Sequence, residues 1–507
     1  MADRTATVEP PATLVDSLAH LGPGIVLASS IVGSGELIAT TTTGAQAGFT
    51  LLWLILIGCV IKVAAQVEIG RATLTWGRTS LDAFDRVPGP RFAGRGWITW
   101  AWAVMTALIV VQQGGIVAGV AQTLAAGLPL TAAGRQWNAA HDEAAALLVA
   151  EATARRSGDP AAAADLSARR ESATAAAAGL PAPPDEAAWC LITAAVTAVL
   201  LALGRYRLIE IVSLALVGTF TLVTLVALVM LQLDPAWMIS GGELARGLLP
   251  GLPPAIDGRS PVVTALATFG IIGVGASELM IYPYWCLEKG YATAVGPRDD
   301  TPAWAARARG WLRVMQLDAW ASMAVYTLVT VCFYLLGAAT LGRLGLVPAG
   351  GEMVRTLGAM YAPVFGSWAG GAFLVGAFAV LYSTLFVAAA GNARMVVDGL
   401  ILTGVLPDAA AARAAWARRI SVGWVLLAAA LAVTIRQPVA MVLASGIAQS
   451  VMLAAIGVAV VFFRWRQTDP RLAPSRAWDA LLAVSVAGLV GVGLWTLVEK
   501  LLQAAGR

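Results

Sequence analysis

Two carboxylates stand where apolar surroundings rarely tolerate them. Glu36 follows Gly33-Ser34-Gly35, and Glu278 follows Gly275-Ala276-Ser277, each string in the middle of a long apolar run. Glycine in a helix interior costs about 1 kcal/mol relative to alanine, and an acid inside a bilayer-length run marks a functional position by default. Small residues with an acid, met twice at matching places in two halves, read as a pair of broken helices of the kind secondary transporters use. A break strips backbone amides and carbonyls of intrahelical partners, and these can face a cavity. Neither string holds Met, Cys or His. Two carboxylates with the Ser34 and Ser277 hydroxyls are hard donors that suit Mg²⁺, Mn²⁺ or Ca²⁺ better than softer metals. A second reading stays open for both acids. Each can cap the half-helix that begins beside it, and two facing carboxylates without a cation repel, so that one binds a proton.

Lys62 is the other chemical outlier, an ammonium inside an apolar stretch that is stable only when paired or neutralised. Asp318 is the expected partner. Snorkelling of Lys62 to the headgroups is the alternative, and a contact with a site glutamate is the third. Gln112, Gln113, Glu68, Glu210 and Tyr382 are polar residues of the same runs and serve either as interhelical glue or in the site. The string Pro283 to Lys289 reads as an aromatic belt with a headgroup anchor. His20 and His141 fall at opposite ends of the chain's spans and form no joint metal site.

The elements that must position these groups follow from composition. Of 507 residues, 58% are hydrophobic and 13% charged, against roughly a quarter charged in soluble domains. The chain is therefore expected to be an all-α integral membrane protein. Cys59, Cys190, Cys286 and Cys332 show neither CxxC nor secreted-domain spacing, which speaks against a disulfide framework or a zinc site. A net charge of +4 is too small to imply nucleic acid. No nucleophile and base pair or cofactor motif suggests an enzyme, and no cofactor is expected.

Requiring about 20 apolar residues per span, the hydropathy predicts eleven transmembrane helices, near 19–43, 48–70, 97–126, 187–204, 207–233, 261–287, 311–341, 367–398, 417–435, 438–463 and 477–503. Residues 1–18 are expected to be a cytoplasmic tail. Arginines such as Arg71, Arg78, Arg205, Arg207, Arg394, Arg413 and Arg464 crowd alternate loops, so the positive-inside rule places the N-terminus in and the C-terminus out. Residues 128–186 are Ala-rich and charged, and read as an extracytoplasmic insertion of one or two short helices, broken near Ser157-Gly158-Asp159-Pro160. Glu36 and Glu278 lie five spans apart, which gives their repeats opposite topology. Residues 19–233 and 261–463 are thus expected to form a 5+5 inverted repeat with broken first and sixth helices, and 477–503 an eleventh span.

Gly22-Pro23-Gly24, and then Gly44-Ala45-Gln46-Ala47-Gly48-Phe49-Thr50-Leu51-Leu52-Trp53 with Gln66 and Arg71, resemble the opening of the Nramp-type divalent metal transporters. Ser383-Thr384 and Gly391-Asn392-Ala393-Arg394-Met395-Val396-Val397-Asp398-Gly399 are similar to that family's eighth span. The resemblance implies a LeuT-like fold and proton-coupled uptake by alternating access. The departures lie in the ligand positions. The family's Asp-Pro-Gly-Asn becomes Gly33-Ser34-Gly35-Glu36, its Met-Pro-His becomes Ala276-Ser277-Glu278, and its tenth-span Gln falls on Gly446, one turn from Gln449. The substrate site is accordingly expected at Gly33, Ser34, Glu36, Ala276, Ser277, Glu278, Gly446 and Gln449. Glu36 and Glu278 are the metal ligands, and Glu36, Glu278, Lys62 and Asp318 are the coupling or charge-pair candidates.

The leading expectation is import of Mg²⁺ or Mn²⁺ with protons as the coupling ion, by a monomer in a bacterial inner membrane whose other partner is lipid. Two alternatives remain: a transporter of a small organic or other non-metal solute with the same fold, and a non-transporting sensor or scaffold that works through 128–186.

Overall fold

The computed structural model describes residues 7–203, 206–235, 237–254, 261–361, 364 and 369–505. Arg205 lies outside the described residues, as do the side chains of Arg207 and Glu210 and the start of the expected eighth span. The first span is indeed broken. Helix α1 (Pro23–Ile31) stops at Val32, and the chain restarts in a π-helical turn, Gly35–Thr40, that runs into α2 (Thr41–Ala47). Then come α3 (Leu52–Trp76), α4 (Trp97–Gly127), α5 (Ala132–Ser157), α6 (Pro160–Ala178), α7 (Asp185–Leu203) and α8 (Tyr206–Leu231). The sixth span is broken in turn, into α9 (Pro261–Ile271) and α10 (Ala276–Lys289). Helices α11 (Pro302–Leu336), α12 (Met353–Gly358), α13 (Ala369–Leu402), α14 (Ala410–Ile435), α15 (Pro438–Phe462) and α16 (Arg476–Ala504) follow, and short helices at Leu14–His20, Ser80–Asp85, Gly241–Leu248 and Tyr291–Val295 lie between the longer ones or before them.

Among the described residues, nine helices are long and apolar enough to cross a membrane. The halves of the first span fall short because of its break, and α8 is matched over Gly218–Leu231. The count of eleven is therefore not reached by length alone. Burial sorts the helices into two layers. The sixth span and α3 are 83% and 78% buried over their most apolar windows, whereas α16 is 28% buried. α7, α14 and α16 turn Leu191, Val199, Leu426, Val484 and Val498 outward, an apolar perimeter that suits hydrocarbon rather than water.

Residues 132–178 form a helical hairpin. Thr131 caps α5, Gly158 ends it in the left-handed region with φ 79°, and Asp159 caps α6 with Pro160 in its first turn. The expected break is where the structure has it, but the helices have 26 and 19 residues and are not short. Alanine's helix propensity, with no glycine between Gly134 in the first turn of α5 and Gly158, lets each run extend. The hairpin is fastened to α12: Arg355 meets Asp142 at 2.8 Å and also donates to Asn138. His141 stacks on Trp137 and stands 3.7 Å from Glu352, while His20 packs edge-on against Trp311.

The loop between α15 and α16 is held by one acid. Asp469 accepts from Arg298 at 2.9 Å and from Arg471 at 3.0 Å. The Arg471 hydrogen bond, with that of Arg298, outweighs burial and holds the Asp469 carboxyl well below the usual range. A depressed folded-state pKa contributes stability above the unfolded value near 4 that is lost as pH falls through the folded one. Asp469→Asn is therefore expected to cost about 2 kcal/mol at pH 7. The gap to the wild type in detergent melts should narrow on acidification below about pH 4; a pH-independent gap contradicts the assignment.

Candidate functional site

Both breaks expose backbone, and side chains from neighbouring helices satisfy it. At the first break, α13 presses close: a Cβ on Gly33 would lie 1.7 Å from Thr384 Oγ1, and the Thr384 hydroxyl donates to Ser30 O at 3.3 Å. Glu36 turns back onto the break. Its Oε2 accepts from Gly33 N at 3.3 Å, and its Oε1 accepts from Gly273 N at 3.3 Å and from the Thr330 hydroxyl at 3.2 Å. One fully buried carboxylate thus ties the break of the first span to that of the sixth and both to α11. Thr40 to Thr43 bond back to carbonyls of their own helix, and Thr43 also meets Thr268 at 2.7 Å.

Glu278 faces elsewhere. It is half-buried in the first turn of α10, where the helix N-terminus favours negative charge. A Cβ on Gly275 would lie 2.5 Å from Glu278 Oε2, so the glycine makes room for the carboxylate. A cavity of about 20 Å³ is lined by Ser30, Ser34, Gln112, Gln113, Ser277, Glu278, Thr384 and Asn392. That volume holds roughly one water-sized occupant. One wall is an ordered polar chain. The Gln112 amide donates to Ser34 Oγ at 3.4 Å, its Oε1 accepts from Ser445 at 2.8 Å and from Gln449 at 2.9 Å, and Gln449 Oε1 accepts from Ser277 N at 3.2 Å. Two lining residues keep buried amide oxygens without a hydrogen-bond partner among the described residues, Gln113 Oε1 and Asn392 Oδ1. Buried acceptors are almost always satisfied, so these two are available to a cation or a donor.

The structure thus brings Ser34, Ser277 and Gln449 into one network beside the Glu278 cavity and leaves Glu36 outside it. The oxygens of Glu36 are engaged by the backbone of both breaks, and Glu36 does not line the cavity beside Glu278. Among the described residues no three His, Cys, Asp or Glu side chains group as metal ligands. Gly33, Ala276 and Gly446 do not line the cavity. Gly446 serves packing instead: a Cβ there would lie 2.5 Å from Ala267 O, and one on Gly270 would lie 2.2 Å from Gly446 O.

The expected Lys62–Asp318 pair is also replaced. Asp318 accepts from Gly22 N at 3.0 Å, from Gly24 N at 2.5 Å and from the Tyr282 hydroxyl at 3.1 Å. It is an N-cap for α1 supplied from another helix. The Lys62 ammonium donates to the carbonyls of Phe269 and, at 2.8 Å, Ile272, where α9 ends. Broken helices create orphan backbone groups at their ends, and these outcompete a distant side chain for each charge. The aromatic string is internal as well. Tyr284 and Trp285 are 6% and 4% exposed, and the Tyr284 hydroxyl donates to Asp398 at 2.8 Å, so no belt forms there. Asn392 and Thr384 stand out in the sequence as part of the strings similar to the family's eighth span, but not as members of the site. Their place in the site comes from the way α13 crosses the first break.

Glu36→Gln is expected to cost about 3 kcal/mol of stability, because the amide NH₂ would face a backbone or hydroxyl donor. Detergent melts compared with Thr330→Val, which removes only one donor, check this: equal effects of the two variants would contradict the tie.

The chain matches the model of the Natural resistance-associated macrophage protein-like family over residues 143–499. No curated protein sequence matches it significantly. Among solved structures it is similar to a mutant of the manganese transporter of Eremococcus coleocola, with 15% identity and a TM-score of 0.60, covering 98% of this chain and 90% of that one. The same transporter in complex with an aromatic bis-isothiourea substituted compound aligns with a TM-score of 0.57 and 15% identity, over 99% of this chain and 91% of that one. These likenesses and the two broken spans give the chain the LeuT-like, inverted-repeat fold of a multi-pass membrane protein. It belongs to the natural resistance-associated macrophage protein-like (Nramp) family.

Proposed function

We propose that the chain is a secondary active transporter that imports a hard divalent cation, Mg²⁺ or Mn²⁺, through the cavity beside Glu278. The observation that carries this reading is the donor set: one carboxylate, two partnerless amide oxygens and several hydroxyls around a space for about one water-sized occupant. Mg²⁺ is typically held by one or two carboxylates, and Mn²⁺ accepts the same oxygen ligands. Family membership and the structural likeness to a manganese transporter support metal as the cargo. Glu278 gives the cavity one negative charge, which either the cation or a proton can neutralise as the carrier returns, and this is our basis for proton coupling. The protein would lie in a bacterial inner membrane with its N-terminus in the cytoplasm and its C-terminus outside, as the arginine distribution suggests.

Uptake into proteoliposomes across a panel of Mg²⁺, Mn²⁺, Ca²⁺ and Cd²⁺, with and without an inward proton gradient, tests the proposal. Asn392→Leu and Gln113→Leu are expected to depress uptake of the transported cation about tenfold each. If no cation moves, or both variants transport at wild-type rates, the reading fails.

A further inference from the structure

The break of the sixth span ends α9 with carbonyls that no intrahelical amide can reach. A negative helix C-terminus with exposed carbonyls at the centre of a membrane is a ready-made cation site. In this chain that site already has an occupant. The Lys62 ammonium, fully buried, donates to the carbonyls of Phe269 and Ile272 and lies 4.6 Å from the centroid of the Phe269 ring. One residue further along, Gly273 N donates to Glu36. The carbonyls at the end of α9 are thus held by a cation and the next amide, that of Gly273, by an anion, both belonging to the chain.

We infer that Lys62 is a tethered resident cation. Its ammonium fills the carbonyl site at the end of α9 that a free inorganic cation would otherwise occupy, and so confines cargo to the Glu278 side of the break. This has two consequences for specificity. The Phe269 and Ile272 carbonyls are unavailable as ligands, so the cargo must be held by Glu278, the amide oxygens of Gln113 and Asn392 and their hydroxyl neighbours. The break also needs no second inorganic ion for its integrity, so the folded protein is indifferent to Na⁺. Lys62 is a positioning and specificity-determining residue, since it acts through the backbone and not on the cargo itself. The first of these consequences rests on the transport reading, whereas the second does not.

Thermal unfolding of the full-length protein in detergent, in 150 mM NaCl against 150 mM choline chloride, tests the occupancy directly. The wild type is expected to melt at the same temperature in both salts. Lys62→Met removes the charge while keeping much of the side-chain volume. It is expected to melt about 5 °C lower in choline and to recover at least half of that loss in NaCl, because Na⁺ then occupies the vacated carbonyls. A Lys62→Met protein without any Na⁺ preference overturns the inference, as does a wild type that already prefers Na⁺. Should the variant not fold, anomalous scattering from wild-type crystals soaked in Rb⁺ or Mn²⁺ decides: a peak within bonding distance of the Phe269 or Ile272 carbonyl overturns the inference, and no peak there supports it. Failure of the wild type to transport any cation would defeat the transport reading and leave the melting result standing.

Discussion

Glu278→Gln is expected to reduce divalent cation uptake at subsaturating concentration at least about 100-fold while leaving the protein folded. The substitution keeps the shape of the side chain and removes its charge. Glu278 is half-buried beside the cavity, and Gly275 leaves space over the carboxylate for the amide as well. Without the carboxylate the cavity keeps only neutral oxygens, and a divalent ion entering it is left without a compensating charge in a medium where that omission is costly. The measurement is uptake into proteoliposomes beside a melting curve of the same preparation. A variant that transports at the wild-type rate shows that the cargo carries no charge that Glu278 must balance. The contrast with Glu36→Gln sharpens the test, because that variant is expected to be impaired first in stability. An inverted pattern, with Glu36 governing uptake and Glu278 governing melting, would mean that the two acids have been given each other's roles.

The second large effect belongs to a residue without a side chain. Gly33→Ala puts a Cβ 1.7 Å from Thr384 Oγ1 and 2.6 Å from Thr384 Cβ, well inside any permitted contact. Thr384 sits in the middle of α13, so relief requires a shift of that helix away from the first break. Overpacking in a core commonly costs 1–3 kcal/mol, and a clash with the Cβ of a helical residue belongs at or beyond the upper end. Such a shift would also move Asn392, two turns further along α13, away from the cavity. The expected result is a loss of about 3 kcal/mol or more in stability and near-complete loss of uptake. Thr384→Ala added to Gly33→Ala should recover part of the stability, because the nearest clashing atom is gone. A Gly33→Ala protein with wild-type melting and uptake would show that α13 is not fixed against the break.

Much of the architecture could be read from the chain. The bilayer-length apolar runs announced spans, and Gly33 and Gly275, each beside an acid, announced breaks at matching positions. The division of labour between Glu36 and Glu278 could not be read. Glu36 lies in a π-helical turn, which rotates every later side chain relative to an α-helix of the same sequence and points this one at the backbone of both breaks. The pairing of Lys62 with Asp318 failed for a related reason. Pairing charged side chains from sequence ignores backbone partners, and a broken helix supplies carbonyls and amides at fixed places with strong claims on any nearby charge. Gln113 and Asn392 come from unbroken spans, where a polar residue serving a cavity and one serving as interhelical glue look identical until the helices are placed. The string Pro283 to Lys289 reads as interfacial from composition, but Asp398 gives the Tyr284 hydroxyl a partner inside the protein.

The close contact at Gly446 also limits which side chains this part of the protein can hold. A Cβ there would collide with the Ala267 carbonyl, and Gly270 answers from the facing helix with the same need for bare backbone. The two glycines depend on each other. Neither can acquire a side chain until α9 and α15 move apart, and that movement would disturb the carbonyls that Lys62 holds. A single substitution that adds a ligand side chain at 446 is therefore barred by shape rather than by chemistry. Under the proposed function, a change of cargo preference has to be made at Gln449 one turn away, or at the residues of α4 and α13 that reach the cavity from outside the welded pair.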